Sequence, residues 1–170
     1  MDQHTTTETA FLKLHEEFAD AIYRHCYYRV SSQSVAEDLT QESFMRVWDY
    51  LSSGKKVDNP KAFLYRIASN LVIDYYRKKK ETSLDVLSEA GFDPAGEDEQ
   101  SILTYAEGQV IPALLAKLEP DYREVLVMRY VDDLTIGEIA QAIGESDNVV
   151  SVRIHRGVAK LKTLFNHGTH

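Results

Sequence analysis

From Phe11 the apolar positions fall at Phe11, Leu14, Phe18, Ile22 and Cys26. These steps of three and four residues trace one stripe of an amphipathic helix, expected to end near Tyr28. Ser31 to Ser34 breaks the pattern. A second helix is expected from about Ser34 to Leu51 on Val35, Leu39, Phe44, Val47, Trp48 and Leu51, stopped by Ser52, Ser53 and Gly54. After the polar loop from Lys55, Asn59 and Pro60 read as a cap and a first-turn proline. Phe63, Leu64, Ile67, Ala68, Leu71 and Val72 then carry a third helix into the basic run Arg77 to Lys80. Residues 1–80 are thus expected to form a three-helix bundle.

The next stretch, residues 81–101, has no sustained period, contains Gly91, Pro94 and Gly96, and is rich in acids. It reads as a flexible acidic linker. Periodicity returns between Leu103 and Leu118, with Gly108 and Pro112 inside it, so a helix is expected to start or kink near Pro112. Pro120 can open a further helix, over about Asp121 to Val131. Thr135 with Glu138 forms a capping box for a short one ending at Gly144, and the last helix should span about Asn148 to Phe165. No strand-like alternation is evident. The fold expected is all-α: two small helical domains, a three-helix bundle and a helix-turn-helix bundle over residues 102–170.

Charge sharpens this division. The formal net charge of -8 resolves into +1 for residues 1–80, -8 for residues 81–120 and -1 for residues 121–170. Lys61 to Lys80 holds six basic groups against one acid, and Val149 to His170 holds four against none, so two basic patches flank an acidic connector. The single cysteine, Cys26, allows no intramolecular disulfide and offers no ligand set for zinc, which fits a reducing cytoplasm. The longest apolar run, Val110 to Ala116, is far too short to span a bilayer, so no membrane insertion is expected. His15, His25 and Cys26 share a predicted helix without a nucleophile, base and acid set, and no glycine loop could cradle phosphate. No catalytic residue, metal site or cofactor is expected.

The segment from Thr135 to Gly157 has the spacing of a helix-turn-helix: small Ala140 permits close approach, Gly144 supplies the turn, and Ile139, Ile143, Val150 and Ile154 lock the pair. With Val150, Ile154, Val158, Leu161 and Phe165 inward, the residues left for DNA are Asn148, Ser151, Val152, Arg153, His155, Arg156 and Lys160. Arg156 and Lys160 suit phosphate or guanine, Asn148 and Ser151 suit backbone or base edges, and Val152 suits a thymine methyl. So few phosphate contacts imply weak, salt-dependent binding by this domain alone.

Three passages, AEDLTQESFMRVWDYL, NPKAFLYRIASNLVIDYYRKKK and LEPDYREVLVMRYVDDLTIGEIAQAIG, resemble the extracytoplasmic-function (ECF) sigma factors of bacterial RNA polymerase. The resemblance implies an alternative sigma factor whose partners are core RNA polymerase, promoter DNA and an anti-sigma factor. It implies a polymerase-docking helix, and Asp38, Gln41, Glu42 and Arg46 beside Phe44 and Trp48 fit that task. It further implies a reader of the promoter -10 element built from Lys55, Lys56, Asp58, Asn59, Lys61, Phe63, Arg66, Asn70 and Arg77, with the loop holding a flipped base. The C-terminal helix-turn-helix would read the -35 element. Breaking one stacking step costs about 1.4 kcal/mol, whereas capturing one base returns about 1 to 3 kcal/mol, so capture can nucleate melting without an energy source. Phe63 stands where the family commonly has tryptophan, Ser151 where a basic residue is frequent, and Ser146, Asp147 and Asn148 where glycine and threonine are usual. The alternative is a stand-alone helix-turn-helix regulator whose first bundle senses or dimerises.

Overall fold

The computed structural model describes residues 3–90 and 110–168, with backbone alone at 83–90, 110 and 168. Three long helices, α1 (Gln3–Val30), α2 (Gln33–Ser52) and α3 (Pro60–Ala90), precede four more: α4 (Val110–Ala116), α5 (Pro120–Leu126), α6 (Ile136–Ile143) and α7 (Asp147–Gly168). A π turn, Val127–Val131, continues α5. There is no strand among the described residues, and the two helical domains stand as expected.

Two boundaries differ from the periodic reading. Helix α1 begins at Gln3, in a polar segment whose Thr7 and Thr9 hydroxyls donate to the carbonyls of Gln3 and Thr5. A segment without an apolar period leaves no stripe to read, although it is free to be helical. Helix α3 runs to Ala90, ten residues beyond Lys80. Acidity keeps a segment solvated without breaking a helix, and the first glycine after Lys80 is Gly91. The rest of the expected linker, 91–101, and the start of the Leu103 to Leu118 segment lie outside the described residues.

Local chemistry sets the helix ends. Asn59 caps α3, its Oδ1 accepting from the Ala62 N–H at 3.1 Å. Thr135 Oγ1 accepts from the Glu138 N–H at 3.1 Å while the Glu138 carboxylate accepts from the Thr135 N–H at 3.0 Å, completing the capping box of α6. Gly144 ends α6 at φ +73, a left-handed conformation that suits glycine. Thr135→Ala removes one arm of the box and should destabilise the chain by about 1 kcal/mol, measured as a shift in the urea unfolding midpoint.

The apolar core is shared between the domains. Ile22, Cys26, Phe44, Val47, Leu64, Tyr65 and Ala68 from α1 to α3 form one buried cluster with Val125, Met128, Leu134, Ile139 and Val150. Helix α6 packs on α3, and α4 and the π turn pack on α1. A second cluster, Leu115, Leu118, Leu126 and Val127, lies beneath Val158, Leu161 and Leu164 of α7. Phe165, expected inward, is instead 49% exposed. The cause is Gly157, which brings α5 so close that a Cβ there would meet Leu126 at 3.2 Å and Tyr122 at 3.3 Å. That approach rotates the buried stripe toward Gly157 and Leu164 and away from Phe165.

Candidate nucleic-acid interface

Helix α2 presents its polar side to solvent. Asp38, Gln41 and Arg46 are exposed, and Glu42 is half-buried beside Arg46, whose Nε lies 3.1 Å from its carboxylate. Beside them α1 and α2 form an open groove of about 550 Å³, lined by Leu12, His15, Gln41, Phe44, Met45 and Trp48. Phe44 is only 4% exposed and is held edge-on by Phe11 and His15, so it forms the floor of the groove and does not project. Trp48 is half-buried against Phe11, at 5.2 Å between ring centroids. The apolar groups that do project are Met45 and Leu12, which the sequence reading passed over. Both sit off the buried stripes, and a large apolar residue on a solvent-facing position is the signal that marks them.

The loop from Lys55 to Asn59 follows Gly54, whose φ of +88 turns the chain out of α2. Lys55, Lys56 and Asp58 are exposed. Tyr50 anchors this region: its ring lies 4.7 Å from that of Phe63 and 5.1 Å beneath the Lys55 ammonium. On α3, Arg66, Asn70 and Arg77 are exposed and, at steps of four and seven, share one face. Phe63 and Tyr75 are half-buried. Tyr76 is held by packing, donating to the Arg29 carbonyl and accepting from Arg123 at 2.8 Å. Asn59 and Lys61 are engaged from the other domain: Asn59 Nδ2 donates to Gln141 Oε1 at 3.3 Å, and Lys61 Nζ lies 3.0 Å from Glu138 Oε2.

Helix α7 carries Asn148, Ser151, Val152, His155, Arg156 and Lys160 on its exposed side. Arg153 is half-buried and pairs with Glu145 at 3.5 Å. Lys160 pairs with Glu119 and sits 4.9 Å over the Tyr122 ring, contacts that hold its stem along α5. The pairing raises the Lys160 pKa, chiefly through the hydrogen bond to Glu119, so the group stays cationic.

Sequence reasoning missed a buried polar network between the domains. His25 Nδ1 lies 2.6 Å from Asp132 Oδ2, with both side chains essentially inaccessible. Arg29 Nη1 donates to Ser69 Oγ at 2.6 Å, and its Nη2 lies 3.4 Å from Glu124 Oε2. Burial pulls the Arg29 pKa down while Glu124 opposes that shift. Arg123 spans three helices, donating to the carbonyl of Arg29 at 2.9 Å and to those of Ala116 and Leu118 at 2.9 and 3.0 Å. The signal was present: His25 and Arg29 lie on the inward side of α1 among Ile22, Cys26 and Val30, and a charge there requires a buried partner.

Residues 14–82 match Sigma-70 region 2, and residues 108–161 match Sigma-70, region 4. The ECF RNA polymerase sigma factor SigW of Bacillus subtilis (strain 168) is 30% identical over 165 residues, which cover 91% of this chain and 88% of SigW. The chain belongs to the ECF RNA polymerase sigma factors. It is also similar to the ECF RNA polymerase sigma factor SigM of Bacillus subtilis (strain 168), with 28% identity across 93% of this chain and 96% of that protein. The structure of CnrH in complex with the cytosolic domain of CnrY superposes with a TM-score of 0.70 at 25% identity, covering 94% of this chain and 90% of that one. The sigma factor RpoE from Bartonella quintana, in complex with the anti-sigma factor NepR, shares the fold with a TM-score of 0.68 at 21% identity over 92% and 97% of the two chains. Like its family, this sigma factor acts with RNA polymerase in promoter recognition. No helix among its described residues is long and apolar enough to cross a membrane.

Proposed function

We propose that this sigma factor divides its work among three surfaces. Asp38, Gln41, Glu42 and Arg46, with Met45 and the rim of Trp48, dock on core RNA polymerase over the floor made by Phe44. The loop Lys55, Lys56, Asp58 and Asn59, with Lys61, Phe63, Arg66, Asn70 and Arg77, captures bases of the opened -10 element. Helix α7 reads the -35 element through Asn148, Ser151, Val152, His155 and Arg156, joined by Arg153 and Lys160 as each exchanges its carboxylate partner, Glu145 and Glu119, for DNA. The observation that carries this reading is the sorting of α7, whose basic and polar residues lie outward behind a capped and tightly turned α6. Domains 1–80 and 102–170 serve as polymerase and -10 module and as -35 module, and the acidic connector 81–101 tethers them.

The protein works in the cytoplasm with its polymerase and supplies no catalytic group of its own. CnrH and the RpoE of Bartonella quintana were each captured with a polypeptide partner, and this chain is expected to have an anti-sigma partner as well. Reconstitution of core RNA polymerase with this protein should start transcription from a cognate promoter drawn from a randomised library. Failure to bind the core enzyme at all would sink the assignment. Within that assay Arg156→Ala should weaken -35 binding by about tenfold and lower the slope of log affinity against log salt by about one. An unchanged salt slope would remove Arg156 from the phosphate or base contacts.

A further inference from the structure

We infer that Tyr50, in the last turn of α2, is a base-stacking residue: an unpaired nucleotide lays its base on the Tyr50 ring and gives its phosphate to Lys55. The inference deepens the proposed -10 reader and rests on that reading.

Two helix ends put the tyrosine there. Helix α2 closes with the Ser53 N–H donating to the Asp49 carbonyl at 3.2 Å and Ser53 Oγ donating to the Tyr50 carbonyl at 2.7 Å, and Gly54 then turns the chain at φ +88. The loop returns to Asn59, whose carbonyl accepts from the Phe63 N–H at 3.0 Å as α3 begins. The last turn of one helix and the first turn of the next are thus brought together, and each contributes a ring. The centroids of Tyr50 and Phe63 lie 4.7 Å apart, with the planes inclined by 44°.

Core packing does not account for Tyr50. Phe63 is packed against the buried cluster shared by the domains, whereas Tyr50 is not among the described residues that pack there. Its ring is half-buried, and it holds a cation: Lys55 Nζ lies 5.1 Å from the centroid. Lys61 and Lys160 are each paired with a carboxylate, but Lys55 is exposed and has only this ring as a partner among the described residues. A cation held by an aromatic face at an exposed position is readily exchanged.

A nucleotide matches the pair. Its base can replace the ammonium over the ring while its phosphate takes the ammonium as a charge-assisted partner, so one cation–π contact is traded for a base–aromatic stack and an ionic contact. Duplex DNA cannot make this trade, because its bases are already stacked on one another. The site therefore favours the opened strand. Stacking is tolerant of sequence, so Tyr50 contributes to melting and leaves the choice of base to other groups. Exposed Lys56 and Arg66 extend the same cationic track.

The test uses the full chain bound to core RNA polymerase. The probe is a DNA single strand of about 20 nucleotides, selected from a random pool by that complex and counter-selected against core polymerase alone. Tyr50→Leu should bind it about tenfold more weakly, and Tyr50→Phe, which keeps the ring, should bind within about twofold of the unsubstituted chain. A ring that only props up Phe63 would give the same result, so an abasic nucleotide is placed at each position of the probe in turn. Where the base rests on Tyr50, the abasic site and Tyr50→Leu remove one and the same contact, and their losses should not add; a propping role gives losses that add at every position. Lys55→Ala should lower the slope of log affinity against log salt by about 0.7, while Tyr50→Leu leaves the slope unchanged. Chemical unfolding of the free variants checks that the fold is kept; should Tyr50→Leu unfold, Tyr50→Met is carried through the same cycle. Additive losses at every position, or undiminished binding by the folded variant, would overturn the inference, and an unchanged slope in Lys55→Ala would overturn the exchange with the lysine. Arg66→Ala with Asn70→Ala separates the two readings. If that pair binds the probe as well as the unsubstituted chain, the -10 reader itself is misplaced; if the pair weakens binding and Tyr50→Leu does not, only the role of Tyr50 is withdrawn.

Discussion

Arg123→Ala should lower the stability of the free chain by about 3 to 5 kcal/mol, read from chemical unfolding followed by circular dichroism. The guanidinium is 8% exposed and makes four hydrogen bonds: to Tyr76, to the Arg29 carbonyl, and to the carbonyls of Ala116 and Leu118 at the end of α4. Removing it leaves several buried acceptors without donors at once, and each costs about 1 to 3 kcal/mol. It also strips the Tyr76 ring of a cation 5.4 Å from its centroid. Arg123→Lys keeps the charge but not the planar fork that reaches acceptors on α1, α3 and the α4 end together, so it should recover less than half of the loss. A cost below about 1 kcal/mol for the alanine variant would mean that the network contributes little.

Helix types and most helix ends were legible in the sequence because they depend on neighbours along the chain. The Thr135 and Glu138 capping box, the Gly144 turn and the Asn59 cap are each decided within four residues, and each stands where the pattern placed it. The outward side of α7 was legible for the same reason: a helix with Val150 buried and Ile154 half-buried must turn Ser151, His155 and Arg156 outward. What depends on the partner surface was not. That Phe165 is exposed and Leu164 covered follows from the approach of α5 at Gly157, which the period of α7 does not encode. The pairing of His25 with Asp132 joins residues more than a hundred positions apart, and two basic patches gave no hint that the domains share a core. Charge segregation also misled in one respect, since an acidic segment was read as non-helical where α3 continues to Ala90.

On the docking side, Asp38→Lys with Glu42→Lys should weaken association with core RNA polymerase by about a hundredfold, measured by titration at fixed salt. Reversal places cations where the proposed docking surface presents anions, and like charges brought together at an interface cost several kcal/mol, with each 1.4 kcal/mol being a factor of ten. The fold should tolerate the change. Asp38 is exposed and Glu42 half-exposed, and the Glu42 to Arg46 pair is of the surface kind worth only about 0.3 to 0.5 kcal/mol. Net charge is the competing explanation, because the double reversal adds four positive charges to an acidic chain. Glu16→Lys with Glu17→Lys adds the same four on exposed positions of α1 and separates the two effects. If local docking matters, the α2 variant loses binding and the α1 variant largely keeps it; equal losses would assign the effect to overall charge and withdraw Asp38 and Glu42 from the contact. Salt gives a further check, since a screened long-range attraction fades within about 10 Å at 0.1 M while a direct contact does not. The hundredfold difference between the two variants should therefore persist in part as ionic strength rises.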